Sequence, residues 1–162
     1  MSEAACGFVG PQAAALLRDV GPTLKVDLGY DLDYDPRTPA RPPTPSTTGV
    51  LALIDTGARR SCIDSDLAVS LGLPVVDQLT VSGVAGLARF NLHIAQMHVG
   101  SLQFTLVGNF AGVHLATGRQ RHAVLIGRDV LSLFRLEYDG LSGAVRLFDP
   151  EAPLPIEPWP DE

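Results

Sequence analysis

Residues 51–64 read Leu51-Ala-Leu-Ile-Asp-Thr-Gly-Ala-Arg-Arg-Ser-Cys-Ile-Asp64. The apolar run that opens the stretch has the length and make-up of a buried strand, and it delivers Asp55 into a Thr56-Gly57 turn. A lone buried carboxylate is costly and normally neutralises or finds partners. An aspartate at a strand end often just caps the turn that follows it, so the tripeptide alone fits a structural acid. Its surroundings favour more than that: a strand runs into it, Gly57-Ala58 closes the turn, and a helix is expected to begin about ten residues later.

Working outward, "SDLAVSLGL" (65–73) predicts that helix, with Ser65 as its N-cap and Gly72 as its C-terminal stop. Beyond Pro74 come three β-like runs, "QLTVSG", "LARFNLHIAQMHV" and "LQFTLVGNF", the first two joined through the glycine-bearing "SGVAG" at 82–86. "AVLIG" (123–127) is a second buried strand ending in glycine and leading into a helix, "RDVLSLF". "RLEYDGLSGAVRLF" closes the pattern as a hairpin about Asp139-Gly140 and Gly143, with Tyr138 a core or edge aromatic.

Upstream, "PQAAALLRDV" (11–20) predicts a short helix opened by Pro11 and stopped by Gly21-Pro22. "TLKVDLGYD" alternates Leu24, Val26 and Leu28 with Lys25 and Asp27, a half-buried strand. Residues 35–48 hold five prolines in fourteen positions, which no strand ladder tolerates, so an extended surface loop is expected there. The organisation read from this is an N-terminal extension (1–21), one mostly β domain (22–148, carrying the 35–48 loop) and a proline-rich acidic tail (149–162), in which Trp159 is the one anchor. Two or three short helices are expected over the chain, one or two of them in the main lobe.

The 162 residues carry 12 Lys+Arg against 18 Asp+Glu, a net charge of −6. That balance argues against a nucleic-acid or anionic-membrane surface. The one basic cluster, "GRQRH" at 118–122, reads as a solvated loop. No apolar run approaches the ~20 residues of a membrane span. The first ten residues carry an acid and no basic segment, so a cytoplasmic setting is expected rather than export. Cys6 and Cys62, the only cysteines, are expected to be free thiols. His93 and His98, five apart, fall on opposite faces of a strand, so no shared metal is expected. Asp64, Asp66 and Asp129 read as helix-start acids.

Taken together, "ALIDTGARRSCIDSDLAVSLGL" and "VLIGRDVLSLFRLEYDGLSGAVRL" resemble the retropepsin-like aspartic proteases, particularly their bacterial single-domain members. The resemblance covers residues 22–148. It implies a single-lobed, mostly β acid-protease fold with a flap hairpin, active as a homodimer on peptide or protein substrates, with neither cofactor nor metal. Each chain would supply one Asp55, and the two carboxylates would share one proton across a twofold axis. The ionised acid would then act as general base on a water while its partner polarises the scissile carbonyl.

By the same resemblance, the Thr56 hydroxyl braces the partner's turn and Gly57 admits substrate backbone. Ala58, in place of Ser or Thr, withholds a hydroxyl donor from Asp55, implying a less acidic activity optimum than a serine would give. Gly83, Val84, Ala85 and Gly86 would form the flap tip over substrate. Gly127, Arg128 and Asp129 would be structural, as a close turn followed by ion pairs at a helix start. Arg59 and Arg60 stand where retroviral members place an acid, which leaves a like-charge problem with Arg128 unless Asp129 lies between them. The alternatives are a protease-fold dimer that binds peptides or partner proteins without cutting them, and a protease confined to processing its own proline-rich segments.

Overall fold

The computed structural model describes residues 2–38 and 41–149. The tail beyond Asp149, including Trp159, and residues 39 and 40 of the proline-rich loop lie outside them.

Alternating apolar residues over Thr23–Gly29 (β2) bury Leu24, Val26 and Leu28 and leave Lys25 in water. β2 pairs antiparallel with Thr47–Ile54 (β3), whose last residues, Ala52 and Ile54, are also buried. β3 starts at Thr47, four residues ahead of Leu51, because Thr47 still finds a partner in Leu28. After the Asp55 turn, the three-residue strand Cys62–Asp64 (β4) leads straight into the helix Ser65–Ser70 (α2).

The long strands Val75–Gly83 (β5), Gly86–Val99 (β6) and Phe104–Val113 (β7) follow as an antiparallel meander. Val124–Ile126 (β8) then runs into the single-turn helix Arg128–Leu131 (α3). In space β8 lies between β3 and β4, parallel to the first and antiparallel to the second. β4 pairs in turn with β7 in parallel. The order β2-β3-β8-β4-β7-β6 closes on itself through β2–β6 pairing, giving a six-stranded barrel, while β5 hangs on β6 outside the ring. Closure leaves no edge on the ring itself.

From the barrel strands, Val26, Leu28, Ile63, Ala95, Met97, Phe110, Val124 and Ile126 all enter the one buried apolar cluster. Each large side chain taken from water contributes about 1.5–3 kcal/mol. A second sheet of Glu3–Ala5 (β1), Ala144–Phe148 (β10) and Arg135–Asp139 (β9), ordered β1-β10-β9, packs beside it. Tyr138 is exposed on its edge strand.

The segment expected as an extension (1–21) is part of this packing. Ala4, Cys6 and Leu17, the last from the helix Ala13–Val20 (α1), belong to the same buried cluster as the barrel. β1 was invisible in sequence because three residues are too few to show a period. The proline-rich loop is tethered rather than free. Asp31 accepts from the Arg41 guanidinium at 2.6 Å and the Thr44 amide at 2.8 Å, which hold its carboxyl well below the usual range. The Gln96 side chain bonds both the N–H and C=O of Asp31, anchoring the loop to β6.

No helix among the described residues is long and apolar enough to cross a membrane.

Candidate active site

β3 ends at Ile54, and the Asp55 amide donates to the Ile126 carbonyl at 2.9 Å, carrying the pairing with β8 one step past the strand. The chain then turns back on itself. Asp55 Oδ1 accepts from the Gly57 amide at 2.9 Å and the Ala58 amide at 3.2 Å, so the carboxylate is fixed by its own turn. No donor reaches Oδ2 among the described residues. Asp55 and Ala58 are half-buried, and Thr56 and Gly57 are exposed. A side chain at Gly57 would place its Cβ 3.1 Å from Asp55 Oδ1, so glycine keeps that face of the carboxylate open.

The second glycine box packs directly behind this turn. A Cβ at Gly127 would meet the Arg60 carbonyl carbon at 2.8 Å, its oxygen at 2.9 Å and the Ala58 oxygen at 3.0 Å, all backbone. Only glycine fits that approach. From there the Arg128 amide donates to the Ala58 carbonyl at 2.9 Å and the Asp129 amide to the Arg59 carbonyl at 3.2 Å. The Arg128 guanidinium reaches the Thr56 carbonyl at 2.7 Å. Residues 55–60 and 126–129 are thus clamped by backbone bonds.

Ion pairs were expected at Arg128 and Asp129, and the geometry corrects this. The Asp129 carboxylate accepts from the Ser61 amide and from the Ser61 hydroxyl, the latter at 2.7 Å. Arg128 is bonded to the Thr56 carbonyl, and neither it nor Arg59 pairs with an acid among the described residues. Ser61 is the residue the sequence reading missed. It is 1% exposed, and its oxygen also accepts from the Gly127 amide at 2.9 Å. The available signal was a serine sitting between two arginines and an apolar strand, where its buried hydroxyl serves one backbone amide and one carboxylate.

Cys62 lies close by with its thiol pushed up by burial, then by the charges of Asp129 and Asp55. Both cysteines are free thiols, and burial pushes the fully enclosed Cys6 up to about 12.

At the far end of the β5–β6 hairpin, Gly83 pairs with Gly86 and Val84-Ala85 make a two-residue tip. Gly86 has φ +110°, a conformation L side chains rarely adopt. The tip makes no hydrogen bond to the Asp55 turn among the described residues. No residue of β5 is buried, and Val81, Val84 and Leu87 all point apolar surface into water. A two-stranded ribbon of this kind has little support of its own.

Asp64, expected as a helix-start acid, does more than that, and it displaces Ser65 as the N-cap of α2. Its carboxylate accepts from Leu67 at 3.2 Å and from the Leu115 and Ala116 amides at 3.0 Å each. Burial raises its pKa, but the backbone donors outweigh burial and leave it lowered. In the 118–122 cluster, residues 118–121 are exposed as expected, but His122 is 2% exposed and bonded to Thr23 and Gln120. His93 is buried with its Nδ1 against the Leu73 carbonyl, while the half-buried His98 bonds Thr105. No cluster of three or more His, Cys, Asp or Glu suited to a metal occurs among the described residues.

Comparison with protein-family models and with curated proteins finds no match.

Proposed function

We propose that the protein is an aspartic endopeptidase of retropepsin type, in which two copies bring their Asp55 turns together and hydrolyse peptide bonds with an activated water. The observation that carries this reading is the turn itself. It holds one oxygen of Asp55 on two amides, leaves the other without a protein donor, and is buttressed from behind by Gly127, Arg128 and Ser61. A carboxylate that merely closed its turn would not call for a second strand and helix start to hold that turn rigid. Preorganisation of this sort is what general acid–base chemistry requires.

In the proposed dimer the two carboxylates share a proton. The ionised one takes a proton from water as it attacks, and the protonated one polarises the carbonyl and then passes its proton to the departing nitrogen. The exposed apolar hairpin around Val84 supports a flap role, since a peptide strand beneath it would cover surface that a single chain leaves wet. Arg59 and Arg60, both exposed beside the turn, favour acidic residues flanking the scissile bond.

The test is digestion of an unstructured peptide library, read by mass spectrometry, with wild type, Asp55→Asn and mixtures of the two. The dimeric site predicts that excess Asp55→Asn protein suppresses wild-type cleavage, because mixed pairs hold only one carboxyl. Cleavage by Asp55→Asn at the wild-type rate, or wild-type activity indifferent to excess variant, refutes the shared site. If neither protein cuts and both bind peptide alike, the non-catalytic binding alternative stands instead.

A further inference from the structure

A groove of about 320 Å³ opens where the stem of the β5–β6 hairpin meets α2 and the end of β7, a size that suits a small molecule. Its apolar wall is Phe90 and Val69, and its polar groups are Arg89, His93, His114, Ser65 and the amide pair Gln78 and Asn91, which bond each other, with no acid lining it among the described residues. Gly112 forms part of the floor. A Cβ there would stand 3.1 Å from His93 Nε2 and 3.3 Å from Ser65 Oγ, so glycine leaves the imidazole edge uncovered.

His93 is 3% exposed, and its Nδ1 lies 3.2 Å from the Leu73 carbonyl. A carbonyl only accepts, so Nδ1 must carry the proton. In the tautomer with its single proton on Nδ1, Nε2 is an acceptor, and it has no hydrogen-bond partner among the described residues. Whatever seats here must offer a donor to Nε2 and negative charge to Arg89. A carboxylate brings the charge but no donor. A phosphate monoester brings both, because its second ionisation falls near neutrality and one oxygen readily carries hydrogen.

We propose that this groove binds a small phosphate monoester with a flat apolar body. One P–OH donates to His93 Nε2, the remaining oxygens take Arg89 and the Ser65 hydroxyl, and the body lies on Phe90. The basic side chains that share the groove with His93 are Arg89 from its own strand and His114 just past the end of β7. Asp64, adjacent to Ser65, is already engaged by the Leu67, Leu115 and Ala116 amides. Because Arg89 and Phe90 belong to the hairpin stem while Ser65 and His114 belong to the barrel side, the ligand would tie the hairpin to the barrel. The site holds whether or not Asp55 is catalytic.

The experiment is calorimetric titration of the full chain with phenyl phosphate, benzoate, inorganic phosphate and phenol, with amide hydrogen exchange over residues 75–91 as a second readout. Phenyl phosphate should bind saturably and slow exchange in the hairpin, with benzoate, inorganic phosphate and phenol each weaker by about tenfold or more. Arg89→Ala, at an exposed position, and Gly112→Ala, which covers Nε2, should each weaken phenyl phosphate by about tenfold. Equal affinity for benzoate overturns the proton-donor argument, and equal affinity for phenol overturns the anion. Absence of saturable binding, or binding unchanged in both variants, overturns the site.

Discussion

The Ser61 hydroxyl lies 2.7 Å from the Asp129 carboxylate, joining positions 68 apart, and the same oxygen accepts from the Gly127 amide at 2.9 Å. One buried hydroxyl thus ties the start of α3 to the chain leaving the Asp55 turn. The rigidity of that turn depends on a residue next to neither glycine box.

Ser61→Ala removes an acceptor from a buried amide and a donor from a carboxylate. It should lower stability by about 1–3 kcal/mol in denaturant unfolding, with native secondary structure retained. Under the proposed function kcat falls as well, since the turn loosens. An unchanged unfolding midpoint would show that the bridge does not brace the turn.

Gly127→Ala sets a methyl against backbone of Ala58 and Arg60 that cannot move aside without shifting the turn. A loss of about 1–3 kcal/mol is expected, the usual range for overpacking. Thermal unfolding measures it, and a neutral substitution would mean that the two boxes are not in contact in solution.

Asp55→Asn keeps an acceptor for the Gly57 and Ala58 amides, so the fold should survive with its melting temperature little changed. Peptide cleavage should drop by about 10²–10⁴-fold, the contribution typical of a positioned acid–base group. Retained cleavage would place the chemistry elsewhere.

Stability should fall on acidification in two stages. Burial, then the neighbouring Arg121, lowers the pKa of His122, so the fold prefers the neutral ring. A group whose folded value is depressed stabilises fully above its unfolded value, about 6.5 for histidine, and loses that contribution as pH falls toward the folded one. Asp64, also lowered, withdraws its share further down, below the ordinary aspartate value near 3.9. Melting temperature against pH for wild type and His122→Gln separates the two. The variant should flatten the limb just below neutrality and leave the acid limb intact, and an identical upper limb in both proteins would rule His122 out.

Asp64→Ala leaves the amides of Leu67, Leu115 and Ala116 without their acceptor. About 1–3 kcal/mol should be lost, combining a helix cap with two loop amides. Asp64→Asn should recover part of it, because an amide oxygen still accepts. Equal behaviour of the two variants would assign the loss to something other than these bonds.

The sequence by itself determined the strands long enough to show a period, the turn chemistry of Asp55-Thr56-Gly57, the hairpin about Gly83 and Gly86, and the glycine punctuation before Arg128. Each rests on residues a few positions apart, where alternation, capping and φ preference act directly. Tertiary structure alone decided that β8 enters between β3 and β4, that β1 and β4 exist at all, and that Asp129 serves Ser61 rather than an arginine. It also turned His93 toward a groove with Nε2 free. Three-residue strands carry no readable period, and a partner 60 to 70 positions away leaves no local trace. Such contacts are fixed only when the barrel closes and buried polar groups must find whichever partners it brings within reach.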